Sequence, residues 1–133
     1  MAKISLNPPS LFASSGYGFS QVVVAGGRKT VYISGQTAWD PEKNSDGAEL
    51  AGQMGSALRN IRAAVEATGG TIEDLVALRI YVVNYRPGDA AVIAGALRAF
   101  FRTGRLPAAT WVGVQALAAD EFLVEIEATA VLD

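Results

Sequence analysis

Leu123-Val124-Glu125-Ile126-Glu127-Ala128-Thr129-Ala130-Val131 alternates in a way that fixes a strand and its two faces. Successive strand residues point to opposite sides. Val124, Ile126, Ala128 and Ala130 therefore share an apolar face that can pack on helices. Leu123, Glu125, Glu127, Thr129 and Val131 share the other, with two carboxylates side by side between apolar neighbours. The plain reading is two solvated glutamates on an antiparallel strand. The alternative is a surface half-covered by another copy of the chain. There, neighbouring acids raise each other's pKa, which suits proton transfer.

Composition narrows the chemistry around that strand. At 133 residues the chain is expected to form one domain over 1–133. Half of the residues are hydrophobic and 18% are charged, enough for a core and for apolar surface buried between subunits. No run reaches the roughly 18 apolar residues of a membrane helix, and the first residues lack a signal-peptide core. A cytoplasmic location and no membrane partner are expected. There is no cysteine and no histidine. That removes disulfides, thiolate nucleophiles, an imidazole base and ordinary zinc ligation. Acid–base work falls to Asp, Glu, Tyr, Lys or water. A net charge of −2 without a basic run argues against nucleic-acid binding, which needs Lys and Arg to displace counterions.

Along the chain, Lys3 to Leu6 reads as an edge strand stopped by Asn7-Pro8-Pro9. Ser20 to Ala25 and Thr30 to Thr37 read as strands joined across Gly26-Gly27-Arg28-Lys29, an expected antiparallel hairpin. Gly35 inside the latter marks a bulge or a close backbone approach, or simply the strand's end. Asp46 and Glu49 resemble a capping box. Leu50, Met54, Ala57, Leu58, Ile61, Ala64 and Val65 recur at helical spacing up to Gly69-Gly70. Leu75 to Tyr85 is a strand in which Leu78, Ile80 and Val82 alternate with Arg79, Tyr81 and Val83. Asp89 is a candidate N-cap for a second helix with stripe Val92, Ile93, Ala96, Leu97, Phe100 and Phe101, ending near Gly104. Ala108 to Gln115 is a strand. The order is β-β-β-α-β-α-β-β. Right-handed crossovers put both helices on one sheet face, leaving the other face open for oligomerisation.

Several stretches together resemble the Rid (YjgF-type) family: Val31-Tyr32-Ile33-Ser34-Gly35-Gln36, Glu66-Ala67-Thr68-Gly69-Gly70, Ile72-Glu73-Asp74-Leu75-Val76, Leu106-Pro107-Ala108, and Val124 through Ala130. They occur in the family's order over about Tyr17 to Val131. The resemblance implies an α+β, chorismate-mutase-like fold: a mixed sheet with two helices on one face. Three chains would close into a homotrimeric barrel with a small-molecule cleft at each subunit boundary. It also implies cofactor-independent hydrolysis of 2-imino or enamine acids to 2-keto acids and ammonia.

The resemblance also carries residue roles. Glu125 stands at the acid that handles the attacking water, and Gly35 and Gln36 are retained cleft positions. The family's Arg, which follows Pro-Ala and pairs with a substrate carboxylate, is Ala109 here. The family's cleft Tyr is Phe19, with Tyr17 two residues away. The expected substrate-binding set is Tyr17, Phe19, Gly35, Gln36, Ala109, Thr110 and Trp111, with no metal. Arg105 is a candidate replacement for the missing guanidinium, though a solvated loop role suits it better. Without that clamp, 2-iminopropanoate is a poor expected substrate. The alternative is a non-catalytic trimer binding a metabolite or partner in a cleft lined by Phe19, Trp39 and Trp111. RNA cleavage, a third reading, is disfavoured by the acidic balance and the lack of histidine.

Overall fold

The computed structural model describes residues 2–45, 47–102 and 105–133. Six strands and two helices follow one another as β1 (Ala2–Leu6), β2 (Val22–Gly26), β3 (Lys29–Gln36), α1 (Leu50–Glu66), β4 (Leu75–Val83), α2 (Asp89–Phe100), β5 (Ala108–Val114) and β6 (Val124–Leu132). The order is the one expected. Short 3₁₀ turns at Ser15–Tyr17 and Ile72–Asp74 punctuate it.

The strands form two sheets, not one. The larger is ordered β3-β6-β4-β5. In it β6 runs antiparallel to both neighbours and β4 runs parallel to β5. β1 and β2 form a separate antiparallel ribbon, with Ile4 opposite Val24 and Leu6 opposite Val22. The expected β2–β3 hairpin is therefore corrected: β2 pairs with β1, and β3 pairs with β6. The link between them is held elsewhere, with Arg28 N–H donating to Leu132 O at 2.8 Å. A Cβ on Gly27 would lie 2.6 Å from that same oxygen, so only glycine lets the chain cross the end of β6.

Alternation in β6 does what its sequence dictates. Val124, Ile126, Ala128 and Ala130 are buried, as are Leu78, Ile80 and Val82 of β4. Met54, Ala57, Leu58, Ile61 and Val65 of α1 and Ile93 and Leu97 of α2 cover them. Each fully buried Ile or Leu contributes about 1.5–3 kcal/mol by leaving water. Gln53 is buried within this apolar layer because both ends of its amide are used. Its Nε2 donates to Glu121 O at 2.9 Å, and its Oε1 accepts from Leu123 N–H at 2.8 Å. That pair pins the entry to β6, and hence the height of Glu125 on the sheet.

Caps differ from expectation. Glu49 is the N-cap of α1 and makes no side-chain cap bond; Asp46 and Gly104 lie outside the described residues. Gly88, not Asp89, is the N-cap of α2, and the Asp89 carboxylate instead accepts from Arg86 N–H at 3.0 Å. A capping box does occur at Thr71 and Asp74.

The helix-free face of the larger sheet is open. Tyr32 is 81% exposed on it, beside Thr129 of β6. The face is polar rather than apolar. Val31 and Ile33 pack with the helices, and Val22 and Val24 sit exposed on the ribbon. The apolar surplus seen in the sequence thus lies on the ribbon.

Candidate functional site

β4 sets which side chains can meet. Along its register Leu78 lies beside Ala109 and Ala128, and Ile80 beside Trp111 and Ile126, all on the helix side. Arg79 lies beside Thr110 and Glu127, and Tyr81 beside Val112 and Glu125, on the open side. Ala109 and Glu125 of one chain therefore occupy opposite sheet faces. The expected site residues fall into two groups.

The first group lines an aromatic pocket of about 570 Å³. Tyr17, Phe19, Ala109 and Trp111 all face it, joined by Phe12, Tyr85, Pro87 and Ala90. Four rings form a closed cycle. Centroid distances are 6.1 Å for Phe12–Tyr17, 6.2 Å for Tyr17–Trp111, 5.8 Å for Trp111–Phe19 and 6.3 Å for Phe19–Phe12. Every step is edge-to-face, the geometry that ring quadrupoles favour. The loop carrying Phe12, Tyr17 and Phe19 is drawn in by Ser14, whose hydroxyl donates to Phe19 O at 2.7 Å. Gly18 then turns with φ +87° against Leu97, and the Arg98 guanidinium donates to Gly16 O. The Trp111 indole N–H is buried without a hydrogen-bond partner among the described residues.

The second group lines a cleft of about 390 Å³ on the open face: Gly35, Tyr81, Leu117, Glu125 and Glu127. β3 bulges between Ile33 and Gln36, so Gly35 approaches the Glu125 carboxylate closely. A Cβ on Gly35 would sit 2.6 Å from Glu125 Cδ. The close approach expected of this glycine is thus to a side chain of its own chain. Gln36 is half-buried next to the bulge, its Nε2 donating to Ser34 O at 3.1 Å. Thr110 is exposed on the open face and outside the cleft lining. The Tyr81 hydroxyl donates to Glu127 Oε1. That hydrogen bond to an acceptor carboxylate, reinforced by desolvation, pushes the Tyr81 phenol above its ordinary value.

This shift has a checkable sign. A raised folded pKa means that the native state keeps its proton longer than the unfolded chain does. Tyr81's contribution to stability is present below the unfolded value near ~10 and is lost as pH rises through the folded value. Following phenolate absorbance with pH should show a late-titrating tyrosine that disappears in Tyr81→Phe. In Glu127→Gln it should move back toward the ordinary range; an unmoved titration would show that Glu127 does not hold it.

Other candidates lie apart. Trp39 packs edge-on against Phe122 at 4.6 Å, with the Lys43 ammonium over its ring. Within one chain it lies apart from the ring cycle of Phe19 and Trp111. Arg105 donates from Nη2 to Lys3 O at 3.2 Å and serves the ribbon. A groove of about 780 Å³ runs between α1 and α2 past Gly55, Arg62, Gly95 and Phe100, on the far side of the helices from Glu125. Among the described residues no three metal-ligating side chains gather. Sequence reasoning missed Phe12, Tyr85 and Tyr81 as lining groups. Only Tyr81 carried a signal, since its alternation with Ile80 placed it on the face of the glutamates.

Comparison with known proteins fits this architecture. Residues 12–132 match the family described as Endoribonuclease L-PSP. The chain is 32% identical over 116 residues to a 2-iminobutanoate/2-iminopropanoate deaminase of Dermatophagoides farinae, covering 86% of each chain. It is 33% identical over 103 residues to the Salmonella typhimurium protein of that name, covering 76% of this chain and 78% of that one. Among solved structures, YyfB of Yersinia pestis, a Rid protein of unknown function, superposes with TM-score 0.95 at 38% identity. It covers 99% of this chain and 100% of its own. YjgF of E. coli gives 0.68 at 32% identity over 85% of this chain and 87% of its own. With two helices on one face of a mixed sheet and a match over nearly its whole length, the chain belongs to the Rid (YjgF-type) family.

Proposed function

We propose that the chain is a cofactor-independent imine or enamine hydrolase whose substrate is neutral or anchored otherwise than through a carboxylate like that of 2-iminopropanoate. The observation that carries this reading is the Glu125 carboxylate held against Gly35 in a cleft with the Tyr81–Glu127 pair. Glu125 takes a proton from water as the oxygen attacks the imine carbon. The proton passes to nitrogen to give a carbinolamine. Glu125 then takes the new hydroxyl's proton and passes it to the same nitrogen as the C–N bond breaks, and a carbonyl compound and ammonia leave. Backbone N–H groups near Gly35 or Thr110 are proposed to hold developing charge.

Because Ala109 and Glu125 face opposite sides of one sheet, a cleft using both needs two copies. A homotrimer closing over the open face is the proposed assembly, with Tyr17, Phe19, Gly35, Gln36, Ala109, Thr110 and Trp111 as its binding set. Losing a bidentate, charge-assisted contact at Ala109 costs on the order of 1.5–3 kcal/mol, about ten- to a hundredfold in affinity. The related deaminases carry names for 2-imino acids, so substrate choice is where this chain is proposed to depart from them. The family description also names RNA cleavage. With no histidine and a net charge of −2, no nucleic-acid partner is proposed. A second reading, ligand binding without turnover, is favoured by the aromatic pocket, which has no charged side chain in its lining.

The test uses two imines generated in place, one from an amino acid by an amino-acid oxidase and one from a simple amine by an amine oxidase. The protein should accelerate loss of the carboxylate-free imine and barely touch 2-iminopropanoate. Glu125→Ala should return the rate to the spontaneous one, and Ala109→Arg should raise 2-iminopropanoate turnover. Acceleration of neither imine by wild type and by Ala109→Arg would leave only the binding reading.

A further inference from the structure

We infer that the aromatic pocket beneath Ala109 binds an organic cation, a protonated imine or an alkylated ammonium group, within the ring cycle Phe12–Tyr17–Trp111–Phe19. The inference deepens the binding half of the proposal above and does not require hydrolysis.

Three observations point to a cation. First, the four rings close on one another with interplanar angles of 85°, 70°, 66° and 77° in order round the cycle. All four of these near-perpendicular rings border the same pocket. Neighbouring centroids about 6 Å apart leave the middle of such a cycle within the ~6 Å over which a ring face attracts a cation.

Second, the lining offers an anion no cationic side chain, only the neutral donors of Tyr17, Tyr85 and Trp111. Phe12, Tyr17, Phe19, Tyr85, Pro87, Ala90, Ala109 and Trp111 include no Arg or Lys. A carboxylate entering would exchange water for the negative faces of aromatic rings and have no countercharge, which is costly. Ala109, where the family pattern puts an Arg, removes the one cation that would have opposed this preference. The positive end of α2 approaches through Ala90, but Asp89 sets a carboxylate at that same helix end, on Arg86 N–H. The Arg98 guanidinium is turned onto Gly16 O and is not part of the lining.

Third, the walls are positioned before any ligand arrives. The Ser14–Phe19 and Arg98–Gly16 hydrogen bonds hold the loop, while Trp111 is fixed in β5 beside Ile80. Phe12 is 63% exposed, so it forms a wall that is reachable from solvent and can be exchanged without disturbing the core.

Binding of choline is compared with that of 3,3-dimethylbutan-1-ol, its uncharged isostere, and of acetate, by calorimetry at matched ionic strength. Choline should bind at least tenfold more tightly than the neutral isostere, and acetate should not bind. Phe12→Leu keeps apolar bulk but removes the ring face. It should weaken choline at least fivefold and leave the isostere within twofold. Equal or tighter binding of the isostere would overturn the inference in favour of a simply apolar pocket. Failure of choline and isostere alike would overturn it too. Trp39→Phe, which leaves Trp111 as the sole tryptophan, should retain choline-dependent quenching of fluorescence; its loss would place the ligand elsewhere. These outcomes do not depend on whether Glu125→Ala changes any imine rate.

Discussion

Replacing Lys3 with methionine should loosen the β1–β2 ribbon from the body and lower stability by about 2–4 kcal/mol. Lys3 is only 6% exposed. Its ammonium donates to Glu73 O at 3.1 Å, Leu75 O at 2.8 Å and Arg105 O at 2.9 Å. Three donors on one flexible stem meet three carbonyls that converge where β4 begins and β5 is approached. Methionine keeps the length and the apolar stem but leaves those carbonyls without this donor. Removing a buried charge recovers part of the loss, because taking an ammonium out of water is itself unfavourable. The same desolvation pushes the Lys3 pKa down, and nearby Glu73 only partly opposes it. The native state therefore releases this proton at lower pH than the unfolded chain does. Lys3's share of stability rises as pH climbs through the window between its lowered value and the ordinary one. The destabilisation by Lys3→Met should grow over that window. Hydrogen exchange is the direct readout: amides of β1 and β2 should lose protection, while those of β4 and β6 keep most of theirs. Unchanged ribbon protection in the variant would show that the strand pair holds without its latch.

The ribbon is also where the sequence was hardest to read. Gly26-Gly27 between two β-rich runs is a good hairpin signal, and it predicted the wrong partner. Turn chemistry fixes how a chain reverses; it does not say which edges then pair. That was decided by Lys3 and Ser5, whose Oγ donates to Leu106 O at 3.0 Å. Polar atoms seventy to a hundred residues away leave no periodicity to find. By contrast, β6, β4 from Leu78 onward and both helices were legible because their burial follows period 2 or 3.6. Glu125 and Glu127 were assigned to one face correctly for the same reason. Their neighbours were not, since Tyr81 meets Glu127 through strand register, and register between distant strands is set by the whole sheet. The aromatic pocket was half-legible. Tyr17, Phe19, Ala109 and Trp111 came from family resemblance, and the fold brings them together. Phe12 and Tyr85 sit in loops, where a lone aromatic looks like any other exposed ring.

Those two kinds of legibility matter for what the chain can do. The face that alternation predicts carries the acids, and the pocket that resemblance predicts lies behind the sheet. A trimer is the simplest proposed way to bring one copy's pocket to another's glutamate, and the polar, uncovered sheet face with Tyr32 standing on it leaves room for that closure. Purified protein should then run at three times the monomer mass by light scattering. Mixing inactive Glu125→Ala with a second variant disabled in the pocket should restore a share of activity, since some mixed boundaries would join an intact pocket to an intact acid.

The sharpest local test of the cleft is Gly35→Ala. The bulge in β3 brings Gly35 so near Glu125 that an added Cβ would lie 2.6 Å from Cδ and 2.7 Å from Cγ. Real Cβ atoms do not approach so closely, and what must give is the end of a flexible side chain rather than backbone. Stability should therefore fall by only about 1–2 kcal/mol, the modest range of a small overpacking. The carboxylate, however, is displaced from the position in which Glu125 is proposed to take a proton from water. A misplacement of about 1 Å in a catalytic group costs on the order of a hundredfold in rate. Imine turnover by Gly35→Ala should fall by about that factor with the fold intact. A double-mutant cycle separates this from general damage. In a Glu125→Ala background there is no carboxylate to displace, so adding Gly35→Ala should change neither rate nor stability further. If Gly35→Ala destabilises equally in both backgrounds, the glycine is there for the bulge itself, and the contact with Glu125 is incidental.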